Sequence, residues 1–203
     1  MNNELVILQL ARLRGRPSVD DIAVGSGLET DLAAAIVEKL TAEARLQEAR
    51  GRLRITPDGR EQLARLIGEE RVSVDHERLA SAYARFTDTN TEFKQVLTDW
   101  QLINGSPNEH TDPEYDAAVI ERLVDLHRRF APLLQHLGDL APRLKIYPPR
   151  FEAALSKVRA GDHSWLARPL VDSYHTAWFE LHEDLISLLG LTRADEAAAG
   201  RAE

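Results

Sequence analysis

Leu5, Ile7, Leu8, Leu10, Ala11 and Leu13 crowd residues 3–14, enough apolar side chains for a buried helix ending at Gly15. Arg16-Pro17-Ser18 breaks it, and Ser18, with Asp20 and Asp21 behind it, suits the N-cap of a short second helix from Val19 to about Val24. Gly25-Ser26-Gly27 then makes a corner, where one position needs positive φ. Thr30 would cap a third helix that turns Leu32, Ile36, Val37 and Leu40 inward and Asp31, Ala34, Ala35, Glu38, Lys39, Ala42 and Glu43 outward. From Gln47 to Ile55 the pattern shortens around Gly51, as in a β-hairpin, and Thr56-Pro57 opens the next helix with a cap and a first-turn proline.

A boundary is expected near Val72–Asp75. Beyond it Leu79, Tyr83, Phe86, Asn90, Phe93, Leu97 and Trp100 recur at alternating steps of four and three, a bundle or dimer seam interrupted by one amide. A helix from Asp75 to Ile103 would be roughly 43 Å long and needs a partner along it. The polar stretch NGSPNEHTDPEY ends it. The same period returns in Val119, Leu123, Leu126, Phe130, Leu133, Leu137, Leu140 and Leu144, with a kink expected at Pro132. Two such seams joined by a short loop predict an antiparallel helical hairpin. A shorter helix from about Pro149 to Arg159 follows. The last helix, opened by Asp162 or Ser164 and kinked or split by Pro169, carries Val171, Tyr174, Trp178, Leu181, Leu185 and Leu188 to a Gly190 stop.

The fold class expected is therefore mainly α: a helix-turn-helix with a small β-hairpin wing, then an all-α bundle of long helices. Its parts are residues 1–72, a helical dimerisation or effector domain at 73–193, and a disordered tail at 194–203.

Composition narrows the chemistry. The 203 residues contain no cysteine, which excludes disulfides, thiolate catalysis and cysteine-based zinc sites. The first apolar run is too short for a membrane span, so a soluble cytoplasmic protein with no membrane partner is expected. Net charge is −8, divided as −1 over residues 1–72 and −7 over the remainder. The acid thus lies outside the hairpin region, where Arg45, Arg50, Arg52 and Arg54 cluster around Gly51. Such arginines suit phosphate or minor-groove contact, and equally an edge strand guarded by charge. The outward face of the third helix offers one lysine among acids and alanines, whereas base edges are read best by Arg, Lys, Asn and Gln.

No G-x-S-x-G, phosphate-binding glycine loop or cysteine nucleophile is present, so neither enzyme activity nor a cofactor is expected. Glu109, His110 and Asp112 are adequately explained as turn formers. In SYHTAWFELHEDL, His175 and His182 lie two turns apart, about 10.5 Å along one helix, too far to share a metal. Asp172 and His175 only echo a di-iron motif. No metal site is expected. Trp100, Trp165, Tyr174, His175, Trp178 and His182 are candidates for an effector pocket between bundle helices, with plain core packing as the alternative. Arg143, Lys145, Arg150, Arg159 and Arg168 surround the proline-rich connection as an anion site or a solvated rim.

SVDDIAVGSGLETDLAAAIVEKLTAEARL and RGRLRITPDGREQL, over about residues 18–67, resemble the winged helix-turn-helix of MarR- and PadR-type regulators, whose "LTPxGR" run closes the wing. The resemblance implies double-stranded DNA as partner, a homodimer, and contacts from Thr30, Lys39, Arg45, Arg50, Arg52 and Arg54. TDWQLINGSPNEHTDPEYDAAVIERL and DSYHTAWFELHEDL, within about residues 86–193, are similar to a helical tail of actinobacterial phosphoenolpyruvate-utilising, pyruvate phosphate dikinase-like proteins. None of the dikinase's nucleotide or phosphohistidine signatures is present. That likeness implies association with such an enzyme, and an alternative role as a non-catalytic accessory protein gripping a partner.

Overall fold

The computed structural model describes residues 2–169, 171–192, 194 and 196. The chain is mainly helical with two small hairpins, and it forms two compact units. One comprises Met1–Val74 with Phe179–Gly190, and the other Asp75–Trp178 with the described residues after Gly190.

The first unit is built around α1 (Asn3–Arg14), whose residues Leu5 to Ala11, Gln9 included, are all buried. A helix buried all round needs neighbours on every side. α2 (Val19–Ser26), α3 (Thr30–Ala42), β2 (Arg52–Ile55) and α4 (Pro57–Ser73) supply them. Ser18 caps α2 with a reciprocal capping box to Asp21, and Gly27 takes the left-handed turn at φ 68°.

Two expectations about α3 are corrected. Glu29, not Thr30, stands at its N-cap, and no side chain bonds there. Leu32 is 46% exposed, because the buried stripe is Ala33, Val37 and Leu40. Those residues are four and three apart, and Leu32 sits about 100° around the helix from Ala33.

β1 (Leu46–Ala49) pairs antiparallel with β2, Gln47 opposite Arg54 and Ala49 opposite Arg52. Arg50 (φ 55°) and Gly51 (φ 71°) make the two-residue tip, the double positive φ of a type I′ turn. Leu53 and Ile55 face the core, so the period of two turns Arg52 and Arg54 outward. The Leu53 N–H donates to the Pro17 carbonyl at 2.8 Å, tying β2 to the segment before α2. The Thr56 hydroxyl caps α4 by accepting from Gly59 N–H at 3.0 Å. A Cβ on Gly59 would stand 2.1 Å from the Arg45 carbonyl oxygen, so this close approach requires glycine.

The last helix, α9 (Tyr174–Leu189), begins in the second unit and ends in the first. Leu181, Leu185 and Leu188 are fully buried there. Gln9 Nε2 donates to Asp184 (2.7 Å), Arg12 to Glu183 (3.1 Å) and Arg14 to Glu180 (2.6 Å). Arg71 reaches the Ser187 carbonyl at 2.7 Å. The acids of HEDL and their neighbour Glu180 are thus bonded to α1.

In the second unit α5 (His76–Gln101) and α6 (Pro113–Leu140) are antiparallel, as Arg122–Asp99 and Arg129–Glu92 ion pairs require. α6 passes Pro132 without ending. A 3-10 turn (Pro142–Ile146), α7 (Tyr147–Arg159), α8 (Ser164–Ala167) and the start of α9 complete it, the helix being split before α9 at the Pro169 region. Leu79, Tyr83, Phe86, Asn90 and Phe93 are buried, but Val96 takes the place expected of Leu97, which is half-buried. Trp100 stays buried seven residues after Phe93, so the steps at this end become three then four.

The chain itself fills the seam. Trp178 stacks on Phe93 at 4.3 Å and on Phe86 at 5.2 Å, and its indole N–H donates to Asn90 Oδ1 at 2.7 Å. These residues are therefore core, and the seam is not open to a second copy. Between α5 and α6, β3 (Leu102–Ile103) and β4 (Ser106–Pro107) form a hairpin around Asn104 (φ 52°) and Gly105 (φ 80°) where only a loop was expected. Of the 194–203 tail, expected to be disordered, Glu196 is buried and accepts a hydrogen bond from Tyr83 Oη. Ala194 is also described; the other tail residues lie outside the described set. Among the described residues no helix is long and apolar enough to cross a membrane.

Candidate functional site

The hairpin tip and α3 hold the residues expected to meet nucleic acid, and local ion pairs divide them into two groups. Lys39 Nζ lies 3.7 Å from Glu4 and 3.9 Å from Glu43. Arg45 is half-buried and pairs with Glu4 at 2.5 Å and Glu43 at 3.0 Å. Both cations are neutralised beside the start of α1. Arg52 pairs with Asp21 at 3.1 Å on an exposed surface. Arg50 and Arg54 are exposed, and among the described residues neither side chain has a hydrogen bond or ion pair. Thr30 is exposed at the start of α3.

Asp21 is the hinge of this arrangement. Partial burial, the largest single influence, pushes its carboxyl up. The Ser18 N–H and hydroxyl, then the Arg52 and Arg14 guanidiniums, together outweigh burial and hold its pKa below the ordinary carboxylate value of 3.8. The same carboxylate completes the α2 cap and holds Arg52.

The outward face of α3 presents Asp31, Leu32, Ala34, Ala35, Glu38, Lys39 and Ala42 to solvent, and Val24 on α2 is 57% exposed. This face is small, apolar and acidic.

The six residues proposed for an effector pocket do not converge. Tyr174 and Trp178 are fully buried aromatic core. His175 is half-buried with its ring 6.2 Å from Phe93, and Trp165 is half-buried on α8. His182 is buried in the first unit. Tyr174 Oη and His127 Nδ1 are 3.2 Å apart, and His127 Nε2 is 3.0 Å from Glu152. Burial, then the Glu152 charge, push the Tyr174 pKa well above 10. The basic rim is corrected as well: Arg143 and Arg150 are buried, and Arg150 grips Asp172 through two bonds of 3.0 and 2.6 Å.

Trp100, one of the six, lines a cavity. It is an open groove of about 550 Å³, confined to the second unit, whose wall also includes Gln101, Asn108, His110, His163, Ser164, Ala167 and Arg168. Sequence reasoning singled out Trp100, His110 and Arg168 separately and did not bring any of these residues together. The available signal was Asn104-Gly105, a strong hairpin dipeptide that folds Asn108 and His110 back onto α5.

No protein-family model, curated protein or solved structure matches the chain.

Proposed function

We propose that the first unit is a winged helix-turn-helix and that the chain is a non-enzymatic, DNA-binding transcription regulator of the cytoplasm, related in plan to MarR- and PadR-type proteins. One observation carries the reading: the type I′ hairpin presents Arg50, Arg52 and Arg54 together, and the side chains of Arg50 and Arg54 have no partner among the described residues. Exposed unpaired guanidiniums at a protruding tip are suited to phosphate or a minor groove. Lys39 and Arg45 contribute less, since each must leave Glu4 first. Operators are usually read by two-fold pairs, and the pairing surface would lie outside the α5 seam.

The experiment is fluorescence anisotropy of the full chain on duplex DNA across a salt series. The wing supplies most of the phosphate contacts on this reading, so affinity falls steeply with salt.

A second reading follows from α3. Leu32 and Val24 lie exposed on the helices that would meet the major groove, beside alanines and acids. That surface is better suited to a protein partner than to base edges. On this reading the unit grips an enzyme, and Leu32→Glu abolishes that complex in a pull-down with the full chain.

A further inference from the structure

The groove beside Trp100 has a construction that core packing alone does not require. His110 adopts φ 55°, a left-handed conformation uncommon for a side chain of its size. Two bonds pin it there: its N–H donates to Asn108 Oδ1 at 2.9 Å, and its Nδ1 lies 2.9 Å from buried Asp116. Asn108 is itself fixed, donating to the Trp100 carbonyl at 3.1 Å and to Asp116 at 3.0 Å. The result holds the imidazole over the indole of Trp100, centroids 4.3 Å apart, while His163 approaches the same indole edge-on at 5.3 Å. Strain held by surrounding bonds is a frequent property of binding sites.

Three aromatic rings therefore form a floor and a wall. Arg168 stands on the rim, and no hydrogen bond or ion pair of its guanidinium is present among the described residues. Gln101, also in the lining, adds a side-chain amide. Of the carboxylates bonded to the lining, Asp116 is already engaged by His110 and Asn108, and exposed Asp162 accepts from the Ser164 hydroxyl at 2.6 Å. A guanidinium with no ion pair among the described residues, set over aromatic rings, is unexpected in the part of the chain that carries a net charge of −7 beyond residue 72. The volume lies within the range of about 300–1,000 Å³ typical of small-ligand sites.

We infer that this groove binds a small planar aromatic anion, its ring against His110, His163 and Trp100 and its carboxylate on Arg168. A guanidinium takes a carboxylate through two parallel bonds, which fixes orientation, and aromatic neighbours reward a flat ring over a saturated one. The inference does not depend on DNA binding, and its test uses no DNA.

The full chain is titrated with 2-naphthoate, with neutral 2-naphthamide and with cyclohexanecarboxylate, while the three tryptophan indole N–H resonances are followed by NMR. Trp100→Phe assigns the Trp100 signal. The expected result is saturable movement of the Trp100 resonance with naphthoate, Trp165 and Trp178 changing little. Binding weakens about tenfold or more for the amide, and likewise for naphthoate with Arg168→Gln. His163→Ala, also at an exposed position, weakens naphthoate but not cyclohexanecarboxylate. Absence of saturation at Trp100, equal binding of acid and amide, or an Arg168→Gln variant that binds as before overturns the assignment.

Discussion

Asn90 sits among Phe86, Phe93 and Trp178, where an amide without a partner would cost stability, and the indole N–H of Trp178 is that partner. Asn90→Leu removes the acceptor and leaves a buried donor unsatisfied. A loss of about 1–3 kcal/mol in denaturant unfolding is expected. Trp178→Phe alone leaves the amide unsatisfied and opens space. The double variant should be less destabilised than the sum of the two, and strict additivity would show that the bond contributes nothing. The sequence marks Asn90 as a break in an apolar seam. It cannot name the partner, because Trp178 is far along the chain and its pairing depends on how α9 returns. Leu32 shows the opposite case. Its hydropathy reads as core, yet a helical phase set by Ala33, Val37 and Leu40 puts it outside. A small residue can own the buried stripe while a large one does not, and hydropathy alone does not reveal that.

At the scale of elements, the contacts between α1 and the end of α9 can be ranked. Arg14 and Glu180 are 14% and 1% exposed at the side chain, whereas Arg12 is 29% exposed. Breaking a buried pair strands a charge, so Glu180→Ala should cost about 3–5 kcal/mol. Arg12→Ala, where the side chain is 29% exposed and water can take over part of its role beside Glu183, should cost less. Chemical denaturation of both variants checks the order, and equal losses would contradict it.

The cap of α2 gives a pH prediction. The folded pKa of Asp21 is depressed, so its contribution is present above the ordinary carboxylate value of 3.8 and is lost as pH falls through the lower folded value. Asp21→Asn should lose about 0.5–2 kcal/mol at neutral pH through the weakened cap. The gap between variant and wild type should narrow as pH falls below about 4 and close once pH is under the depressed folded value. A gap that persists in acid would mean that the carboxylate charge is not what holds the cap.

The elements themselves are largely legible in the chain: Ser18, Thr56 and Asp75 cap their helices, Gly27 and Gly190 end theirs, and Gly51 turns the hairpin. Local signals of this kind act within a few residues. The acids of ELHEDL were legible as a cluster but not in their purpose, since their partners on α1 lie more than 160 residues away. The Trp100 groove was hidden for a related reason. It depends on a two-residue turn that brings His110 onto α5, and on α8 arriving from elsewhere in the chain.

At the scale of the molecule, charge distribution and the β1–β2 hairpin together lead to one quantitative prediction. The acidic balance of −8 disfavours general polyanion binding, so any affinity for duplex DNA must come from a few local contacts. Arg50 and Arg54 are the two hairpin cations without an ion pair among the described residues, and each phosphate contact contributes about 0.9 to the log–log slope of affinity against salt. The most direct test is that slope, measured by anisotropy on the same duplex for the wild-type chain and for the double variant Arg50→Ala/Arg54→Ala. The account predicts binding by the wild type and a slope shallower by about two in the variant. No binding by the wild type at any salt, or an unchanged slope in the variant, would contradict it.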